Sequence, residues 1–386
     1  MSFKVQGWCP GALRPMASGD GLVVRVRPPS GRLTERQASG IAEVAQRYGN
    51  GVIDLSGRAN VQIRGVTPET HAPLISTLRK HDLIDADVAA ETRRNIIVTP
   101  FADARTYRLA EALQRALGDA PELPGKFGFI LDCGAAPVMT DVQADIRFER
   151  AADGTLLLRA AGCDLGAPVT EAAAAEAALA LAQWFLEAGG VTDGRGRMAQ
   201  LIATGARPEG QLAPAIAPAS AQFQAQSQAQ SQPVPGIVKQ GALVAFAFGQ
   251  IDADTLGALA ALGPLRVTPW RMILIEGLPW MPNLPGLISD PTDPLLRVHA
   301  CTGAPSCLQA HGPTRDLARS LASHLPEGRT LHVSGCSKGC AWPLSADLTL
   351  VATPAGLSVI RDGRASDTPE TAVISPSEPR HISEFF

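Results

Sequence analysis

The chain has 386 residues, 45% of them hydrophobic, and a formal net charge of −3. That length allows about two or three domains with a sizeable core, and the near-neutral charge gives no electrostatic reason for nucleic acid to bind. No run of eighteen apolar residues occurs, so no membrane-spanning helix and no membrane partner are expected.

The chain opens with Met-Ser-Phe-Lys-Val-Gln-Gly-Trp-Cys-Pro, which lacks the apolar core of a secretory signal, and a cytoplasmic protein is expected. A strand is predicted over 22–27. A helix follows, with Thr34 and Gln37 as a capping box, Ile41, Val44, Ala45 and Tyr48 at helical spacing, and Gly49 as its stop. Two more strands are predicted over 51–55 and 60–64, the second flanked by Arg58 and Arg64. Arg94 precedes another strand at Ile96, and Lys126 sits in the loop Leu-Pro-Gly-Lys-Phe. A single arginine or lysine of this kind is ordinarily a solvated surface cation. Four of them, Arg58, Arg64, Arg94 and Lys126, beside strand ends suit a substrate rich in carboxylates, because a guanidinium grips a carboxylate with two parallel bonds.

Over 207–236 the residues are mostly Ala, Gln, Ser and Pro, too poor in apolar bulk to offset their ordering entropy, and a flexible linker is predicted. Beyond it the pattern repeats: strand 242–248, a capped helix over 252–262, then strands 265–268 and 272–276. Arg58 then falls opposite Arg271, and Gly65 opposite Gly277 with a shift of one residue. Strand–helix–strand–strand is half of a ferredoxin-like sandwich, so the fold class expected is α+β with two such halves related by a pseudo-twofold axis. The likeness extends to 123–134 against 325–336, which brings Cys133 near the counterpart of Cys336. The resulting division is 1–90 and 237–290 as half domains, 91–206 as a cluster-free domain and 291–386 as a cluster domain.

The last quarter holds Cys301-x5-Cys307 and Cys336-x3-Cys340, each pair closed by a glycine-bearing loop. Four thiolates from two loops are the usual cradle of an iron–sulfur cluster. Zinc is the rival, but its knuckles space cysteines two to four apart, which the Cys301 pair does not fit. A disulfide suits a secreted chain, and nothing here marks one. Cys9, Cys133 and Cys163 are isolated and read as small buried hydrophobes. His311 and His332 lie near the cysteine loops, yet the histidines show no two-histidine, one-carboxylate spacing. Gly194-Arg195-Gly196 lacks the third glycine and preceding strand of a dinucleotide loop.

The order Gly-Arg-Ala-Asn-Val-Gln-Ile-Arg-Gly, Arg-Arg-Asn-Ile, Leu-Pro-Gly-Lys-Phe, Cys-x5-Cys and Gly-Cys-Ser-Lys-Gly-Cys resembles the sirohaem-dependent sulfite and nitrite reductase superfamily. The resemblance implies a 4Fe–4S cluster on Cys301, Cys307, Cys336 and Cys340, with Cys340 toward a second redox centre. It also implies anion-binding cations at Arg58, Arg94 and Lys126. The reductases carry a further lysine where this chain has Gly128. Within the superfamily the chain is most similar to the precorrin-3B synthase family, through Cys-Pro-Gly-Ala-Leu-Arg-Pro-Met-Ala-Ser-Gly-Asp-Gly, Leu-Pro-Gly-Lys-Phe-Gly-Phe and Ser-Gly-Cys-Ser-Lys-Gly-Cys-Ala-Trp-Pro. That similarity implies a monooxygenase of cobalamin biosynthesis acting on precorrin-3A and O2. Its second centre would be a mononuclear non-haem iron of unassigned ligands rather than sirohaem, and its electrons would come from a separate NADH-dependent reductase or ferredoxin. A sirohaem nitrite or sulfite reductase and a non-catalytic electron carrier are the alternative functions.

Overall fold

A computed structural model describes residues 10–134, 136–220 and 232–374. Cys9, His381 and residues 221–231 of the expected linker lie outside these. The first sheet runs Met16–Ser18, Gly21–Val26, Val61–Val66, Val52–Leu55, and then Gln250–Asp252 from the other half. The second runs Gly236–Val238, Gly241–Phe246, Met272–Glu276, Leu265–Val267, and then Arg32–Leu33 from the first half. Each half thus donates a short strand to the other. Ile251 stands opposite Ile53 and Leu33 opposite Leu265, and each exchange covers a sheet edge that would otherwise invite foreign pairing.

The turns repeat as faithfully as the strands. Ser30 and Gly31 enter the first donated strand at φ of 51° and 73°, and Phe248 and Gly249 enter the second at 60° and 71°. Further on, Ala59 and Gly65 (53° and 70°) match Arg271 and Gly277 (61° and 71°) at identical spacing. The counterpart of Arg271 is therefore Ala59, not Arg58 as the sequence alignment suggested, and no shift is needed at the glycines.

The helices Glu35–Tyr48 and Ala253–Ala260 pack against each other. Thr34 and Gln37 form the expected capping box, and Asp252 caps the second helix at the amide of Thr255. The helices bury Ile41, Val44 and Ala45 on one side and Leu256 and Leu259 on the other. They approach so closely that a Cβ on Gly257 would stand 3.7 Å from the Ala42 methyl.

Two further sheets share one topology. One runs Ile96–Val98, Phe129–Leu131, Ile146–Arg150, Leu156–Ala160, Ala167–Pro168; the other runs Val298–Ala300, Leu331–Ser334, Ala346–Thr353, Gly356–Gly363, Glu370–Ile374. In each the first three strands are parallel and the rest antiparallel. A helix follows the first strand of both, Ala104–Ala116 and Arg315–Ala322. The last sheet shares a continuous apolar core with the ferredoxin-like halves, through Val298, Leu331, Leu348 and Val359. The third sheet has its own core around Phe127, Phe129, Phe148 and Phe185.

The start of the expected linker is tied down rather than loose. Gly166 and Ile216 exchange backbone hydrogen bonds, which hold the chain to the third sheet through residue 216. No described helix is long and apolar enough to cross a membrane.

Candidate iron–sulfur site

Parallel pairing sets Val298–Ala300 beside Leu331–Ser334, and the next residue of each strand is Cys301 or Gly335. The two cysteine loops start side by side for that reason. They also interlock. The Gly335 amide donates to Cys301 Sγ at 3.2 Å, His311 N to the Gly335 carbonyl at 2.8 Å, and Cys307 N to the Gly303 carbonyl at 2.7 Å. Gly335 must be glycine, because a Cβ there would lie 2.6 Å from the Ala310 methyl and 3.5 Å from Cys301 Sγ. Burial pushes the Cys336 and Cys340 thiols up, and the charges of the other quartet cysteines add to that rise. Two interlocked loops that carry four thiols, with a backbone amide aimed at one sulfur, fit an iron–sulfur cluster. All described cysteines are free. Cys133 and Cys163 are buried in the third sheet's core, and burial raises the Cys133 thiol to about 12.

Beneath the loop that carries Cys336 and Cys340, His299 and His332 stand opposite each other on adjacent strands. Trp342 stacks on His299 with ring centres 3.8 Å apart. Burial, reinforced by the nearby Arg271 charge, lowers His299 to about 3 and His332 to about 4. Both rings are therefore neutral at ordinary pH. Among the described residues, no three histidine, cysteine, aspartate or glutamate side chains converge as a single metal ion requires. The mononuclear iron implied by the resemblance thus has no donor set here, and no chemistry is derived through it.

Arg271 was missed as a site residue. Thr268 Oγ1 accepts from the amides of Trp270 and Met272, and this turn sends the Arg271 guanidinium to the Ala341 carbonyl, 2.8 Å away and one residue past Cys340. Burial lowers its pKa, while Asp54, Cys301 and Cys340 act against that shift. Its position in the second copy of the repeat was the available signal in the sequence, and the structure adds a left-handed φ of 61°, unusual for arginine.

The four expected anion-binding residues separate into two kinds. Arg58 is half-buried and Lys126 exposed, and Arg58 Nη1 donates to the Lys126 carbonyl at 3.2 Å. The Arg58 turn abuts that of Arg271, since a Cβ on Gly57 would lie 3.8 Å from the Pro269 carbonyl oxygen. Arg64 and Arg94 are instead paired inside the fold. Arg94 makes a two-pronged bond to Asp85 at 2.7 and 2.8 Å and also holds the Arg27 carbonyl. Arg64 does the same with Asp20, at 3.0 and 2.7 Å.

Gly128, where the reductases carry a lysine, is fixed by its packing. It is buried, and a Cβ there would stand 2.7 Å from Asn95 Nδ2, while Asp145 holds its amide at 3.0 Å. Packing, rather than room for a substrate, accounts for this glycine. Gly128→Lys should cost about 1–3 kcal/mol by overpacking and lower the urea midpoint. An unchanged midpoint would show that the strand start has more room than this.

Asp132, next to Cys133, accepts the amides of Val138 and Met139 on one oxygen, and the other is buried without a partner among the described residues. Burial raises its pKa to about 6. The folded state then holds a proton that the unfolded state has released, so this stabilisation is complete below about pH 4 and lost as pH rises through 6. Asp132→Asn should therefore gain about 3 kcal/mol relative to the parent between pH 4 and pH 8, measured by urea unfolding. A difference that stays constant with pH would contradict this.

Residues 14–81 match the nitrite/sulfite reductase ferredoxin-like half domain. Precorrin-3B synthase of Sinorhizobium sp is 29% identical, over 94% of this chain and 84% of its own length. Ferredoxin–nitrite reductase of Leptolyngbya laminosa is 26% identical, over 93% and 81%. Among solved structures, the Mycobacterium tuberculosis NirA protein superposes with a TM-score of 0.68 at 17% identity, covering 94% of this chain and 79% of that one. The fold is thus that of NirA, and the chain resembles precorrin-3B synthase while carrying the ferredoxin-like half domain of the nitrite/sulfite reductases.

Proposed function

We propose that this chain is an oxidoreductase of the precorrin-3B synthase type, which uses O2 and two electrons to hydroxylate precorrin-3A as a lactone closes. The observation that carries this reading is the near-full-length likeness to precorrin-3B synthase, at higher identity than to the nitrite reductase. Cys301, Cys307, Cys336 and Cys340 would hold a 4Fe–4S cluster, which when bound supplies one-electron transfer. Arg58, on a turn adjoining that of Arg271, and Lys126, whose carbonyl Arg58 holds, would grip substrate carboxylates through charge-assisted hydrogen bonds. Arg271 holds the backbone just after Cys340 and places a fixed positive charge beside the thiolates. A separate ferredoxin or NADH-dependent reductase is the proposed electron donor.

The runner-up is a sirohaem nitrite reductase, favoured by the ferredoxin–nitrite reductase at 26% identity. A visible spectrum of the purified protein, with iron and labile-sulfide counts, separates the two. Cluster absorption without sirohaem bands supports the synthase reading. Stoichiometric sirohaem would overturn it.

A further inference from the structure

Arg64 lies in the first ferredoxin-like half, yet its reach ends in the cysteine loop of the last sheet. Three donors from that half meet on one acceptor, the Ser306 carbonyl oxygen: the Gly19 amide at 3.1 Å, Arg64 Nη2 at 3.1 Å and Ser18 Oγ. The next residue is Cys307. A carbonyl offers two lone pairs, so three donors saturate it and fix its direction. Gly19 leaves no slack, because a Cβ on it would fall 1.9 Å from the Pro305 carbonyl oxygen.

The arginine is itself immobilised. Asp20 takes it with two bonds, and Asp54 lies 3.7 Å from Nη1 on its other side. Asp54 also accepts from Arg315 at 2.7 Å, on the helix that follows the Cys301–Cys307 loop. The network therefore holds the chain at Ser306, just before Cys307, and again at Arg315 on the helix beyond it. A buried ion pair is a weak source of stability, and its best-attested use is to specify one geometry.

We infer that Arg64 and the turn Ser18–Asp20 form a positioning clamp for Cys307, through which the first half shapes the cluster-binding loop. This rests on the reading of Cys307 as a cluster ligand, and it assigns Arg64 to the loop rather than to substrate.

The test follows the alkylation of each cysteine by iodoacetamide in the purified full-length protein, resolved by peptide mass spectrometry, with labile sulfide counted in the same samples. In Arg64→Met, Cys307 should react about tenfold faster relative to Cys340, as expected when a charge-assisted bond is lost. Arg64→Lys should fall between Arg64→Met and the parent, and Ser18→Ala should give about a threefold rise, a neutral bond being the weaker. Ser18→Ala removes one hydroxyl and decides the matter if Arg64→Met does not fold. Cys307 reactivity that stays at the parental ratio to Cys340, or rises only in step with it, would overturn the clamp. Absence of labile sulfide from the parent would overturn the cluster reading separately, and the Cys307 ratio still reports on the clamp.

Discussion

Cys336→Ala should leave the protein without labile sulfide and destabilise the last sheet, whereas Cys163→Ala should keep the sulfide and the sheet's stability. The cause is local. Cys336 follows a strand paired on both sides, and its loop interlocks with the Cys301 loop through the Gly335 and His311 amides. Metal–ligand bonds formed only in the folded state add directly to folding free energy, so their loss weakens the whole unit. Cys163 lies in the separate core of the third sheet, among Leu201, Ile202 and Met198. Acid-labile sulfide and urea unfolding measure the outcome. A full sulfide complement in Cys336→Ala would remove that residue from the ligand set.

Arg58→Met combined with Lys126→Met should lower kcat/KM for precorrin-3A by about ten- to a hundredfold, the range for losing one or two charge-assisted hydrogen bonds. Cluster absorbance should stay at the parental level. Lys126 is exposed and Arg58 half-buried, so the fold tolerates their removal. Arg94→Met should instead destabilise the protein, because it strands the Asp85 carboxylate that Arg94 covers. Steady-state kinetics beside urea unfolding separates the two behaviours. Parental kinetics in the Arg58/Lys126 double variant would exclude that surface as the carboxylate anchor.

Features written in short stretches of chain were legible in the sequence. The capping box at Thr34 and Gln37, the βαββ order of each half and the pairing of the cysteines depend on spacings of a few residues, and each has a local physical cause. The donated strands Arg32–Leu33 and Gln250–Asp252 were not legible, since so few residues show no alternation and their partners lie in the other half. Charge was visible where pairing was not. Arg64 and Arg58 look alike in sequence, but Asp20 and the Ser306 carbonyl approach Arg64 only after folding. Asp54 gave a faint signal as a carboxylate among the apolar residues of a strand, and it proves to link Arg64 with Arg315. Gly128 shows in the sequence only as a cation missing from the reductase pattern, while the Asn95 side chain that crowds a Cβ there arrives by tertiary packing.

The synthase reading is tested most directly by supplying the purified, cluster-loaded protein with precorrin-3A, an electron donor and 18O2, and weighing the product by mass spectrometry. One labelled oxygen atom per product molecule, formed only with O2 present, is the predicted result. Untouched precorrin-3A, together with nitrite or sulfite reduction by the same preparation, would contradict it.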